Sequence, residues 1–169
     1  SALAEPGSVD AQSVSASNAF AYLRQGDVWL VPGEGGEPVR ITSSGRAWHP
    51  AVSPDGGALI YVLAPAEENE PAELWSLALE SGESQLLASA APPWGAPAFS
   101  SDGAHLAWPA GDDLLLLDAT DGTVLQLLGT TLPDMARPDP VWSADGTTVY
   151  TPRWMEGELA LWALSVEGG

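Results

Sequence analysis

The stretch HPAVSPDGGALIYV, His49 to Val62, returns twice without a gap, as APAFSSDGAHLAWP (Ala96 to Pro109) and DPVWSADGTTVYTP (Asp139 to Pro152). Self-similarity at a fixed period constrains a fold more than composition does, because each copy must be one supersecondary unit stacked on its neighbours. Here 47 residues separate Asp55 from Asp102 and 43 separate Asp102 from Asp145, a period suited to four-stranded units. Each copy continues into a further apolar run, and the N-terminal FAYLRQGDVWLVPGEGGEPVRIT carries the same continuation without an Asp-Gly head. Gly36, Gly82, Gly122 and Gly168, spaced 46, 40 and 46 residues apart, extend the period to both ends.

Asp-Gly between apolar runs is a strong hairpin signal, since a type I′ turn needs positive φ at both central residues. The reading is therefore that Asp55, Asp102 and Asp145 turn the first strand of each unit into the second through type I′ turns. Runs such as LIYVL and DLLLLD do not alternate polar and apolar, which predicts strands covered on both faces. Helices are excluded because 18 glycines and 15 prolines are spread evenly along the chain. Repeat one begins at its second strand and repeat four stops before its fourth. The incomplete units call for a strand supplied by Val9–Ser15 or for a homodimer.

These copies resemble the TolB-type β-propeller repeat, a relative of the WD-repeat propellers, over residues 20–169. The resemblance implies an all-β propeller segment of about three and a half four-stranded blades over 18–169, while residues 1–17, rich in Ser and Ala with little periodicity, read as a linker or processed tail. For function it implies anything from an extracytoplasmic scaffold of bacterial type to the gating propeller of a larger hydrolase or peptidase. In propellers the first strand of each blade lines the central channel, so residues just ahead of each Asp-Gly stretch belong at the channel mouth.

The formal charge is −18, from five arginines, no lysine and 23 acidic residues. A nucleic-acid partner needs a basic stripe and is excluded on that ground. Cations and basic partners suit the field better, although an acidic surface serves solubility first. No run approaches the roughly 18 apolar residues of a membrane helix, so membrane insertion is not expected. Without cysteine the chain has neither disulfides nor thiolate ligands.

Of the eight tryptophans, Trp29, Trp75 and Trp162 share one repeat position with Leu115 and read as core, and Trp108 and Trp142 read as packing. Trp48, Trp94 and Trp154 have no aromatic repeat mates. Arg46, Trp48, His49, Trp94, Arg137 and Asp139 form the candidate ligand site, a mixed aromatic and cationic set of the kind enriched at binding hot spots. A protein or peptide is the expected partner, with a carbohydrate or cell-wall ligand on Trp48 and Trp94 as the alternative. No His-Glu-x-x-His, Gly-x-Ser-x-Gly, Walker or dinucleotide pattern occurs, so no catalytic residue, metal or cofactor is expected. His49 with Asp139 makes a two-ligand set, below what zinc takes. His105 reads as a strand-face residue, and the Glu67–Pro71 loop lacks the oxygen spacing of a calcium loop.

Overall fold

The computed structural model describes residues 19–33, 35–92, 95–111, 113–129, 139–155 and 158–166. Within these the chain is all β, fourteen strands in four antiparallel sheets taken in chain order. Sheet one joins β1 (Phe20–Arg24), β2 (Asp27–Val31) and β3 (Val39–Arg40). Sheet two joins β4 (Ala47–Val52), β5 (Ala58–Leu63), β6 (Ala72–Ala78) and β7 (Ser84–Ala90), and sheet three joins β8 (Ala98–Phe99), β9 (His105–Ala110), β10 (Asp113–Asp118) and β11 (Val124–Gly129). Sheet four joins β12 (Val141–Trp142), β13 (Thr148–Met155) and β14 (Glu158–Ser165). The two outer repeats thus carry three described strands each and the two inner ones four, as the repeat pattern requires. Residues 1–17, with the Val9–Ser15 segment, lie outside the described residues.

The Ser-x-Asp-Gly heads do turn the first strand into the second, but not as type I′ turns. Gly56, Gly103 and Gly146 have φ of 75°, 76° and 72°, while Asp55, Asp102 and Asp145 keep negative φ. The Gly56 amide donates to the Ser53 carbonyl at 2.9 Å, so Pro54 and Asp55 are the central residues of a type I turn and the left-handed glycine follows it. Strand pairing resumes where the Ser53 amide donates to the Ala58 carbonyl at 2.8 Å. The loop is therefore longer than two residues, which releases Asp from any need for positive φ. The two-residue hairpin with both central φ positive is Gln25–Gly26, at 55° and 76°, between paired Arg24 and Asp27.

The chain divides near residue 90 into two compact units. In the first, Val28 and Leu30 of sheet one pack against Leu59, Tyr61, Leu63 and Leu77 of sheet two. These side chains follow the period of two, so one face of each sheet supplies the contact. In the second, Ala107, Leu114 and Leu116 of sheet three pack against Val149, with half-buried Trp142 and Leu164 of sheet four alongside. The run Leu59 to Leu63 is buried throughout, at most 8% exposed, whereas in Asp113–Asp118 Leu114, Leu116 and Leu117 are buried and Leu115 is half-buried. Burial also pushes the Tyr61 hydroxyl up to about 12, with the charge of Glu73 adding to the effect.

Candidate functional site

The candidate residues of the first unit are carried by β4 and the chain just ahead of it. β4 pairs regularly with β5 at Ala47 with Leu63 and Trp48 with Val62, and again at Ala51 with Ile60 and Val52 with Leu59. Between these, His49 and Pro50 oppose Tyr61 alone, which is a β-bulge. His49 takes φ of 50°, a left-handed conformation that side chains with a Cβ avoid and that the following proline disfavours further. Consecutive side chains of a regular strand point to opposite faces, yet here the Trp48 and His49 ring centroids lie 6.2 Å apart at an interplanar angle of 47°. Trp48 remains 50% exposed and lies inside the strand rather than ahead of it. The Arg46 guanidinium donates to the Ala64 carbonyl, and the Ala64 amide donates back to the Arg46 carbonyl at 2.9 Å. That closure ties the lead into β4 to the β5 end of the sheet.

Of the remaining candidates, Asp139 is exposed just ahead of β12 in the second unit. Trp94 and Arg137 lie outside the described residues. Arg46, Trp48 and His49 are thus the members that one strand and its lead-in bring together. His105 stacks on Trp142 with centroids 6.3 Å apart, and the Trp142 indole donates to the Ala98 carbonyl at 3.0 Å, so both serve packing in the second unit. Trp108 is fully buried and donates to the Gly95 carbonyl at 3.2 Å.

The shared tryptophan position departs from the expectation of core. Trp29, Trp75 and Trp162, like Leu115, are half-buried. The Trp75 indole donates to Glu73 at 2.9 Å, and the Arg24 guanidinium sits 5.5 Å over the Trp29 ring. The Trp75 ring covers the core margin and keeps a polar contact, a use suited to an indole, which has an apolar body and one donor. The side chain of Trp154 is outside the described residues.

Each turn carboxylate has a fixed task. Oδ1 of Asp55, Asp102 and Asp145 accepts the hydroxyl of Ser53, Ser100 and Ser143 at 2.6 Å. The same oxygen accepts the amide two residues on, from Gly57 at 2.9 Å and from Ala104 and Thr147 at 3.0 Å. Bonds to the ionised form favour it, so all three carboxyls titrate below the usual value. For Asp145, with the Ser143 hydroxyl first among the causes and a Thr147 hydroxyl also donating, the value falls to about 2. The three acids read from the sequence as turn residues are therefore anchors of those turns.

A polar cluster that the repeat pattern did not flag sits at Asp27, only 4% exposed. Its carboxylate accepts the Arg40 guanidinium at 2.6 Å, the Gly45 amide at 2.9 Å and the Thr42 hydroxyl at 3.2 Å. Thr42 Oγ1 in turn accepts the Val28 amide at 2.9 Å. Burial pushes this carboxyl up, but the Gly45 amide and the Arg40 charge and hydrogen bond outweigh it and hold it below the usual range. The sequence signal was an acid directly after the Gln25–Gly26 hairpin with an Arg-x-Thr that starts at the end of the next strand and runs beyond it, a pattern present in one repeat alone. Among the described residues no group of three or more His, Asp and Glu is placed to hold a metal ion.

No protein-family model matches the chain, and no curated protein sequence matches it significantly. Solved structures do. TolB from Acinetobacter baumannii superposes with a TM-score of 0.67 at 20% identity, covering 89% of this chain and 40% of that one. The chain folds as a TolB-like β-propeller segment. Each sheet is accordingly a blade. The propeller domain of the trilobed protease from Pyrococcus furiosus superposes with a TM-score of 0.64 at 15% identity, covering 87% of this chain and 50% of that one. An oligogalacturonate lyase from Vibrio parahaemolyticus does so at 0.61 and 18% identity, over 81% and 41%. The chain spans about two fifths of the length of the TolB and lyase chains. No described helix of this TolB-like segment is long and apolar enough to cross a membrane.

Proposed function

We propose that this chain is a non-catalytic propeller module that holds a protein or peptide at the end of blade two carrying Arg46, Trp48 and His49. The observation supporting this is the bulge at His49. A non-glycine residue held at positive φ costs on the order of 1–3 kcal/mol and persists where surrounding structure imposes it, commonly at ligand clamps. Bulges re-aim side chains beside binding sites, and this one sets an exposed indole beside an imidazole. An indole with a cationic neighbour suits a peptide: its ring covers apolar groups while the guanidinium meets carboxylate or carbonyl oxygens.

The proposed location is outside the cytoplasm, in keeping with the TolB-like fold, and fractionation of cells expressing the tagged full-length gene product tests it. A second reading, a gating propeller of a larger hydrolase, draws support from the trilobed-protease propeller. Both readings assign binding to this chain and chemistry elsewhere. Panning a random peptide library displayed on phage against the chain should enrich sequences that bind it. Trp48→Ala should then weaken the best peptide at least tenfold by fluorescence anisotropy, with an unchanged melting temperature. Equal affinity for Trp48→Ala, or turnover of peptide, ester or glycoside substrates by the chain itself, would overturn the proposal.

A further inference from the structure

Blades one and two carry one arrangement of side chains in two versions. In blade one Arg24 pairs across the hairpin with Asp27 and Tyr22 with Trp29; in blade two Leu63 pairs with Glu73 and Tyr61 with Trp75. Each blade thus sets a carboxylate two residues ahead of an indole on one face of its strand. Blade one supplies both groups with guanidinium from within the chain: Arg40 donates to Asp27 at 2.6 Å, and Arg24 lies 5.5 Å over the Trp29 ring. Blade two has no such supply. Leu63 stands where Arg24 does, β7 (SQLLASA) carries no cation where β3 carries Arg40, and no arginine or lysine occurs between Arg46 and Arg137. Arg46 itself donates its guanidinium to the Ala64 carbonyl.

The Trp75 indole donates to Oε2 of Glu73 at 2.9 Å, which fixes the carboxylate beside the ring, and among the described residues that carboxylate has no other side-chain partner. Both residues are half-buried, so the pair is reachable at the margin of the core. Tyr61, on the same face, is 2% exposed, and its hydroxyl makes no hydrogen bond among the described residues. A buried hydroxyl is ordinarily bonded, and one left unbonded in a native fold calls for a partner from outside the chain, a water, an ion or a ligand. The charge of Glu73 reaches this hydroxyl and, after burial, is the second cause that raises it. Just ahead of the strand Glu67, Glu68 and Glu70 are exposed, which adds to the local field that gathers cations.

We propose that Glu73 and Trp75 of blade two bind an arginine side chain of a peptide or protein partner, its guanidinium held by the carboxylate and laid against the indole, combining in one group what Arg40 and Arg24 do for Asp27 and Trp29. A planar guanidinium meets a carboxylate with its edge and an aromatic ring with its face, whereas an ammonium is a hydrated point charge without that fork. Glu73 shares a face with Leu63, and Trp48 pairs with Val62 on the other face of blade two. The arginine site is therefore separate from the one at Trp48 and does not rest on it.

NMR titration of the isotope-labelled 169-residue chain at low salt tests this, with the peptide acetyl-Gly-Gly-Arg-Gly-Gly-amide as probe and its lysine and citrulline counterparts as comparisons. The Trp75 indole N–H signal, assigned through Trp75→Phe, should shift saturably with the arginine peptide in the millimolar range. The citrulline peptide, which keeps the shape and loses the charge, should bind at least tenfold more weakly, and the lysine peptide at least threefold. Glu73→Gln keeps an acceptor for the indole and should weaken the arginine peptide at least tenfold with an unchanged melting temperature. Glu80→Gln, the same change of charge at an exposed position, and Trp48→Ala should each leave the affinity within twofold. Equal binding of the arginine and lysine peptides, or equal losses from Glu73→Gln and Glu80→Gln, would mean attraction by net charge alone and overturn the proposal. So would a Trp75 signal that never moves, a lower melting temperature for Glu73→Gln, which would give the carboxylate a partner within the chain, or loss of binding in Trp48→Ala with Glu73→Gln unaffected, which would put the arginine on the other face.

Discussion

One torsion separates the two residues of each Asp-Gly pair, and it sorts their roles. Gly103 sits at φ of 76° while Asp102 keeps an ordinary angle, so the glycine supplies conformation and the aspartate supplies hydrogen bonds. Gly103→Val places a β-branched residue in the left-handed region and should cost about 1–3 kcal/mol by urea denaturation. Asp102→Asn retains an acceptor oxygen and should cost less than Gly103→Val, and Asp102→Ala should fall further, because it leaves the buried Ser100 hydroxyl without its acceptor. If Asp102→Ala matched wild type in the same melts, the anchoring role would be wrong. The pH dependence follows from the direction of the shift. Asp145 titrates at about 2 in the fold against 3.8 for a free carboxyl. Its stabilisation is therefore complete above about pH 4 and disappears as pH falls through about 2. Thermal melts between pH 2 and 6 should show an acid-side slope that is shallower in Asp145→Asn. The sequence disclosed the turn and its position but not its type, because the serine two residues before each aspartate acts only once backbone angles and hydroxyl direction are known. The His49 bulge was likewise hidden: its mate Ala96 also precedes proline yet keeps negative φ.

At the scale of the element, the β1–β2 hairpin and the Asp27 cluster hold the first unit together. A Cβ on Gly26 would lie 2.2 Å from the Gly45 carbonyl oxygen, and the residue has φ of 76°. Neither strain can be relieved by a rotamer, since the obstructing atom is backbone. Gly26→Ala should therefore lower stability by at least about 1–3 kcal/mol, and Gly35→Ala, at positive φ but in open space, should lower it less. Asp27→Ala removes the acceptor from the Gly45 amide, the Thr42 hydroxyl and the Arg40 guanidinium and should cost about 1–3 kcal/mol for the buried donors left behind. Arg40→Gln should cost less, since the Arg40 side chain is 48% exposed and surface ion pairs are worth about 0–1 kcal/mol. If Arg40→Gln were the more damaging change in chemical denaturation, the ion pair rather than the amide and hydroxyl bonds would dominate. Strand order and the three described strands of each outer sheet were legible from spacing, because one period fixes them all. Half-burial of Trp29, Trp75 and Trp162 was not, since periodicity assigns a face but says nothing of how far the neighbouring blade covers it.

For the whole molecule, two electrostatic effects oppose each other as salt is added. The net charge of −18 repels itself more strongly in the compact state than in the expanded chain, which destabilises the fold at low ionic strength. The ion pair between Arg40 and Asp27 works the other way, and salt weakens it. Magnitude decides between them: one pair with an exposed guanidinium is worth about 0–1 kcal/mol, whereas the repulsion sums over every unpaired carboxylate within a Debye length, about 30 Å at 0.01 M and 10 Å at 0.1 M. Raising NaCl from 0.01 M to 0.1 M at pH 7 should therefore raise the melting temperature, by about 2–4 °C if the gain is about 1 kcal/mol. Calorimetry at about one micromolar keeps association between copies from contributing. Most proteins that rely on surface ion pairs would move in the opposite direction over this range. A flat or falling melting temperature would mean that the carboxylates are already neutralised by bound cations, and titration with sodium replaced by a bulky organic cation would then locate the effect in site binding rather than in screening.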